Sequence, residues 1–318
     1  MSTSDPVPKS GGKVLVLGAN GFVGAAIVAG LARSGRRVLA YGRAHVTATN
    51  PNVESIQGSI EDSSLLHEAI AQCSDIVHVA SLTTPGTSAR DPALEVIGNL
   101  LPLARVLECA NEFRQRHLVY LSSGGTVYGN LAANAVEATV LRPRSYYGAG
   151  KVAAEALIHA CAETTDWCAS VLRPSNLYGP GQETARGFAI VPTLFERARD
   201  GQPFQIWGDG LAVRDYCYID DLVDAVRLVL ECPTPQRFAL YNVASGSTAS
   251  IVDLIAACER VSGRPIARAF KPARQVDVVH VSPDSAAIRA ALDWRPQIDL
   301  AEGLARSWRW MTAADPTP

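Results

Sequence analysis

The sequence predicts an α/β fold, a doubly wound parallel sheet with helices on both faces and a smaller C-terminal α/β lobe. Three observations predict it. Short apolar runs alternate with helix-like stretches from residue 13 to about 176, as strands buried on both faces of a sheet require. The first run ends in a turn with three glycines that leads directly into a helix-like stretch. Beyond about 176 the rhythm breaks into shorter pieces rich in Pro and Gly.

The elements follow in order. "KVLVLGA" (13–19) is a strand ending at glycine, and "NGFVGAAIVAGLARSG" is a helix with a stop at Gly35, since glycine closes helices at little steric cost. "RRVLAYG" (36–42) and "VESIQGSI" (53–60) are the second and third strands, and a helix runs from about Ser63 to Gln72 with Asp62 as its start residue. "DIVHVAS" (75–81) is the fourth strand, followed by a long helical stretch over 92–114. "HLVYLSS" (117–123), a helix over 145–163 and "CASVLRPSN" (168–176) complete the alternation. The later pieces are "FQIWGDG" (204–210), a helix at 220–231, "LYNVASGS" (240–247), helices at 250–262 and 299–312, and "VDVVHVS" (276–282). The domains expected are thus 13–176 and, mainly as a substrate lobe, 177–312, with later segments returning to the first and with disordered tails at 1–12 and 313–318.

Composition narrows the function. With 47% hydrophobic and 19% charged residues the chain is an ordinary globule, and a net charge of −2 leaves no electrostatic footprint for nucleic acid or anionic membrane. Seven scattered cysteines without a C-x-x-C pattern give neither a disulfide framework nor a zinc site; reduced thiols in a cytoplasmic protein are expected. The N-terminal "MSTSDPVPKSGG" has no apolar signal region, and no apolar run approaches the roughly 20 residues that span a bilayer.

In such sheets ligands sit at the carboxyl ends of the strands. "GANGFVG" places Gly18, Gly21 and Gly24 between the first strand and first helix. Glycines there permit a tight turn and close approach to a pyrophosphate resting on a helix N-terminus, as in a Rossmann-type dinucleotide site. An acidic residue at the end of the second strand would bind the adenosine ribose of NAD. Here that strand ends in Tyr41-Gly42-Arg43, a cation without a carboxylate, which favours the 2′-phosphate of NADP over NAD. The competing reading makes Arg43 a solvated loop residue.

The fifth strand leads into "SSGGTVYGN", which carries Ser122, Ser123 and Thr126, and "SYYGAGKVAAE" places Tyr147 four residues before Lys151. On a helix, Tyr147 and Lys151 share a face and Tyr146 does not. A free phenol of pKa about 10 is a poor base at neutral pH; lowering it three units takes ~4 kcal/mol. One cation ~4 Å away at an effective dielectric of 20 offers about that much. Burial opposes it, so the positive ring of an oxidised nicotinamide would have to supply the remainder.

At this point the ordered set of "GANGFVG", "VHVAS", Asn99, "SSGGTVYG", "YGAGK", "LRPSNLYGPGQ", "WGDGLAVRDYCYIDD" and "YNVASG" resembles the extended short-chain dehydrogenase/reductases of the nucleotide-sugar epimerase/dehydratase family, over about 13–311. The resemblance implies an NAD(P)-dependent 4-epimerase acting on a nucleotide-diphospho-sugar, a UDP-hexose or UDP-N-acetylhexosamine, through a transient 4-keto sugar. It implies Tyr147 as acid/base and Lys151 on the nicotinamide ribose, which leaves Tyr146 to line or pack the site. The cofactor would be held by Gly18, Asn20, Gly21, Phe22, Val23, Gly24, Arg43, Ser59, Ile60, Ala80, Ser81, Asn99 and Pro174 besides the Tyr147–Lys151 pair. Thr84, Gly124 and Asn176 would contact the sugar nucleotide, Arg214 and Arg274 would clamp its diphosphate, and Asp277 would hold the nucleoside ribose. Relatives often dimerise through the helices here at 92–114 and 145–163, so a homodimer is implied.

The chain departs from the pattern in three places, and a fourth position reads two ways. The usual Ser or Thr four residues before the tyrosine of "VYG" is Gly124, so the hydroxyl role passes to Thr126 or Ser123. The Asp-Glu pair of sugar 4,6-dehydratases is Gly125-Thr126, which removes the acid and base for water loss. The usual Asp after the third strand is Ser59. Val281, where residue size tunes the room at the sugar's C2, reads equally as a core valine. Two rivals remain: an NADPH-dependent 4-keto-sugar reductase, favoured by Gly42-Arg43, and a redox-sensing binding protein without chemistry, favoured by Gly124.

Overall fold

The computed structural model describes residues 12–313 except 48, 85, 90, 115, 131–133, 185–188, 233–235 and 274–279. Arg274 and Asp277 therefore lie outside the described residues, as do the expected tails apart from Gly12 and Ala313. The chain forms two compact units, one comprising 1–122, 146–173 and 223–241 and the other 123–145, 174–222 and 242–318.

The first unit is built from β1 (Val14–Leu17), α1 (Phe22–Arg33), β2 (Val38–Gly42), β3 (Val53–Gln57), α2 (Ser63–Ala71) and β4 (Asp75–His78). A helical run follows from α3 (Pro92–Glu95) through a π turn (Val96–Leu100) to α4 (Leu101–Glu108), with a 3-10 turn at Cys109–Asn111. Then come β5 (His117–Leu121), the short α5 (Gly124–Val127), α6 (Tyr146–Thr164) and β6 (Cys168–Pro174). Seven strands lie in the order β10-β6-β5-β4-β1-β2-β3, β10 being Phe238–Val243, and the ladders joining β3 through to β6 are all parallel. Winding direction reverses between β1 and β4, which makes their carboxyl ends the switch point of the sheet.

Local chemistry explains the element ends. Asp62 caps α2 by accepting from the Leu65 amide at 3.1 Å, and Gly35 turns the chain after α1 at φ +85. Leu15, Leu17, Leu39 and Ile76 from the sheet pack with Leu66, Ile70, Leu103, Val106, Ala154 and Ile158 from the helices. Each buried leucine, isoleucine or valine among them contributes about 1.5–3 kcal/mol.

The remaining elements are β7 (Asn176–Tyr178), α7 (Ile190–Asp200), β8 (Phe204–Trp207), β9 (Val213–Tyr218), α8 (Ile219–Glu231), β11 (Thr248–Ser250), α9 (Ile251–Ser262), β12 (Arg268–Lys271), β13 (His280–Val281), α10 (Ala286–Leu292) and α11 (Leu300–Ala313). In the second unit β9 pairs with β7, β11 and β13, and β8 pairs with β12. The strand expected over 168–176 is two: it ends at Pro174, whose missing N–H suits a strand end, and Asn176 starts β7 along β9. The piece "LYNVASGS" (240–247) contributes its first residues to β10, which begins at Phe238, ends at Val243 and belongs to the large sheet. Val281 is 1% exposed and is a strand core residue.

The first unit buries two histidines. His117 donates to or accepts from Ser170 Oγ at 3.0 Å, and burial pushes its pKa down to about 4. For His78, burial and then the charge of Lys151 push it down to about 3. Both stay neutral in the fold but protonate near 6.5 once unfolded. Their contribution is complete above that value and is lost as pH falls from 6.5 toward 4 and 3. Stability is expected to drop by about 1.4 kcal/mol per pH unit for each histidine over that window. Urea midpoints at about pH 7 and pH 5 measure this, and His117→Asn should flatten the slope; equal slopes in both proteins would refute it.

Candidate active site

The glycine turn is shaped by two demands internal to the chain and one that is not. Gly18 has φ +93, and a Cβ there would stand 2.7 Å from the Ala80 backbone. At Gly24 a Cβ would stand 2.1 Å from Gly18 O, so helix and turn could not close. Gly21 differs: the nearest atom to its Cβ position is 3.5 Å away, and as N-cap of α1 it offers the first-turn amides no side-chain acceptor. A bare residue beside uncapped amides fits a pyrophosphate. Phe22 and Val23 open the helix, half-buried.

Asn20 joins this turn to the end of β2. Its Nδ2 donates to Ala44 O at 2.9 Å and its Oδ1 accepts from the Ala44 amide at 3.1 Å. Gly42 is required there, because a Cβ would meet Asn20 Oδ1 at 1.9 Å. Arg43 stands exposed just beyond, its carbonyl accepting from Gln57 Nε2. Ser59 turns its carbonyl to the Tyr41 hydroxyl at 2.8 Å, and Ile60 packs against the core.

After β4, Ala80 lies against Gly18 and Ser81 Oγ donates to Thr83 O at 3.0 Å. Asn99 spends both amide donors within the chain, on Thr83 Oγ1 at 2.6 Å and Glu95 Oε1 at 2.8 Å, while its Oδ1 accepts from the Leu82 amide. Thr84 and Thr87 exchange backbone-to-hydroxyl bonds. These side chains thus build the loop that follows β4.

Tyr147 and Lys151 do meet on one face of α6, with Lys151 Nζ 5.6 Å from the Tyr147 ring centroid. Tyr147 is half-buried and its amide donates to Ser88 Oγ. Tyr146, expected to line or pack the site, is 46% exposed and sits about 100° round the helix from Tyr147. Lys151 is buried, donating to Leu121 O at 2.8 Å and Tyr120 Oη at 3.2 Å, with Nζ 4.7 Å from the Tyr120 ring. Burial lowers its pKa to about 8 against the opposing charges of Glu95 and Glu155, and burial holds the Tyr120 phenol well above its usual value. One helical turn on from Lys151, Glu155 accepts from Arg173 at 3.0 and 2.6 Å and from Ser122 Oγ.

Sequence reasoning singled out neither Glu95, Glu155, Arg173 nor Tyr120. The spacing 147, 151, 155 was available as a signal for Glu155; nothing local marks the others.

In the second unit Ser123 stands at the N-cap position of α5 with no side-chain cap bond, and Thr126 Oγ1 donates to Ser123 O at 3.4 Å. The Gly124–Val127 stretch is helical, and Gly124 is buried as its first residue. Asn176 Nδ2 donates to Asp215 O, and its Oδ1 lies 3.4 Å from the Cβ position of Gly125. Arg214 lies on β9, donating to Val213 O. Its neighbour Asp215 points the other way, as alternate strand residues do, and accepts from Ser175 and Ser245. Pro174 is buried at the end of β6.

The model of the NAD dependent epimerase/dehydratase family matches residues 14–244. The chain is 33% identical over 306 residues to a UDP-glucose 4-epimerase of Mycolicibacterium smegmatis, covering 93% of this chain and 97% of that one. Among solved structures it is similar to MoeE5 in complex with UDP-glucuronic acid and NAD, with a TM-score of 0.89, 29% identity, and coverage of 95% of this chain and 100% of that chain. It is similar also to the UDP-glucose 4-epimerase of Thermotoga maritima with UDP-glucose, with a TM-score of 0.88, 27% identity, and coverage of 95% and 99%. The glycine turn at the sheet's switch point, the Tyr147–Lys151 pair and these matches agree: the chain belongs to the NAD dependent epimerase/dehydratase family.

Proposed function

We propose that this protein is a nucleotide-sugar 4-epimerase acting on a UDP-sugar. The observation that carries the reading is the Tyr147–Lys151 pair on one face of α6 in a chain whose glycine turn leaves Gly21 bare. A nicotinamide dinucleotide, held at the glycine turn of Gly18, Gly21 and Gly24, would supply reversible hydride transfer at C4 of the sugar. Tyr147 takes the O4 proton and gives it back, with Lys151 stabilising the phenolate. Ser123 or Thr126 supplies the hydroxyl that meets O4, Asn176 contacts the sugar nucleotide, and Arg214, Arg274 and Asp277 hold the diphosphate and nucleoside ribose.

The cofactor is NAD or NADP, and the exposed Arg43 without a carboxylate at Gly42 supports NADP. That same observation supports a second reading, an NADPH-dependent 4-keto-sugar reductase. The protein is further read as a cytoplasmic homodimer, joined through the helical run over 92–111 and α6, whose Val96, Ile97, Leu101 and Leu157 are exposed.

One preparation tests all of this. Purified protein incubated with UDP-glucose or UDP-galactose, without added cofactor, should interconvert them, and denaturation should release an intact dinucleotide whose mass shows NAD or NADP. Stoichiometric NADPH consumption with a 4-keto sugar, and no interconversion, would establish the reductase instead. Sedimentation at twice the monomer mass is expected; a monomer would remove the dimer.

A further inference from the structure

We propose that Glu95 is a positioning residue for Lys151, its carboxylate occupying the space of a side chain at position 150 and keeping the buried ammonium charged beside Tyr147. The inference rests on the acid/base reading of the Tyr147–Lys151 pair. It starts from Gly150, the residue before Lys151. A Cβ at 150 would stand 2.3 Å from Glu95 Oε1 and 2.8 Å from its Cδ, so the missing side chain is what admits the carboxylate against this turn of α6.

Glu95 is 3% exposed. Its oxygens accept from Thr83 Oγ1 at 2.5 Å and Asn99 Nδ2 at 2.8 Å, both neutral donors. A carboxylate buried with neutral donors alone is costly and calls for a cation nearby.

Among the described residues, few groups face Lys151. From β5 comes Tyr120, whose phenol burial keeps protonated. From β4 comes the charge-sensing His78, held neutral. From its own helix come Tyr147 and Glu155, and the Glu155 carboxylate is already matched by Arg173 at 2.6 Å. Among the described residues, Glu95, from α3, is the remaining anion whose charge acts on the ammonium. Burial is what lowers Lys151, and Glu95 stands ahead of Glu155 in opposing it.

The chain has four lysines, at 9, 13, 151 and 271, so protein labelled with ¹³C at lysine Cε gives four NMR signals, with Lys151 assigned by its loss in Lys151→Arg. Titration of that signal needs no turnover. The Lys151 midpoint should fall by about one pH unit in Glu95→Gln, and less in Glu95→Asp, which keeps the charge. Gly150→Ala, which displaces the carboxylate, should lower it too and decides the matter should Glu95→Gln not fold. The alkaline limb of kcat for epimerisation should move with the midpoint. An unchanged midpoint in Glu95→Gln or Gly150→Ala overturns the proposal. A protein that turns over no UDP-sugar but still shows the shift overturns the epimerase reading and leaves the role of Glu95 standing.

Discussion

Tyr147→Phe is expected to lower UDP-sugar epimerisation by about 10²–10⁴-fold, the range that a positioned general acid–base contributes. The variant removes one oxygen and leaves the ring, so the half-buried packing of Tyr147 and the 5.6 Å approach of Lys151 are kept. Dinucleotide binding depends on the glycine turn between β1 and α1, and should be unaffected. The informative result is therefore a split: kcat collapses while dinucleotide released on denaturation stays stoichiometric. Tyr146→Phe is the matched control, because that ring is exposed and off the Lys151 face; it should retain near full turnover. Full activity in Tyr147→Phe would dismiss the catalytic assignment, and loss in both variants would point to the helix N-terminus rather than to one hydroxyl.

Much of this was legible in the sequence where local rules act. The strands of the large sheet are short apolar runs, since parallel strands are covered on both faces, and Gly18, Gly35 and Asp62 sit where turn and cap chemistry predicts. The four-residue spacing of Tyr147 and Lys151 decided which tyrosine counts. What stayed hidden is set by distant pairing. That β10 joins the large sheet depends on residues about 70 apart, as Arg237 O accepting from the Ala169 amide shows. Glu95 looks like a solvated residue early in a helix, and becomes buried only because Gly150, 55 residues on, leaves room for it. Asn99, assigned by resemblance to the cofactor, has both amide donors engaged by Thr83 and Glu95, an outcome no spacing rule contains.

Glu155→Ala is expected to cost about 3–5 kcal/mol of stability, the range for breaking a buried ion pair by removing one partner. Arg173 is 3% exposed, and its guanidinium would lose the carboxylate to which it donates at 3.0 and 2.6 Å; Ser122 Oγ would lose its acceptor as well. Arg173→Met should cost a similar amount by stranding the carboxylate. The pair itself has a smaller net worth, because desolvation offsets much of its attraction. Glu155→Leu combined with Arg173→Met should therefore unfold at a urea midpoint well above either single variant, and additive losses would refute that account. The pair also ties α6 to β6 one turn from Lys151, on the face that carries Tyr147. Glu155→Ala should thus lose turnover along with stability, whereas the repacked double variant should regain stability first. Turnover returning with it would mean that the pair only anchors the helix. Turnover staying low would mean that the Glu155 charge acts on Lys151 beside that of Glu95, although Arg173 already matches it.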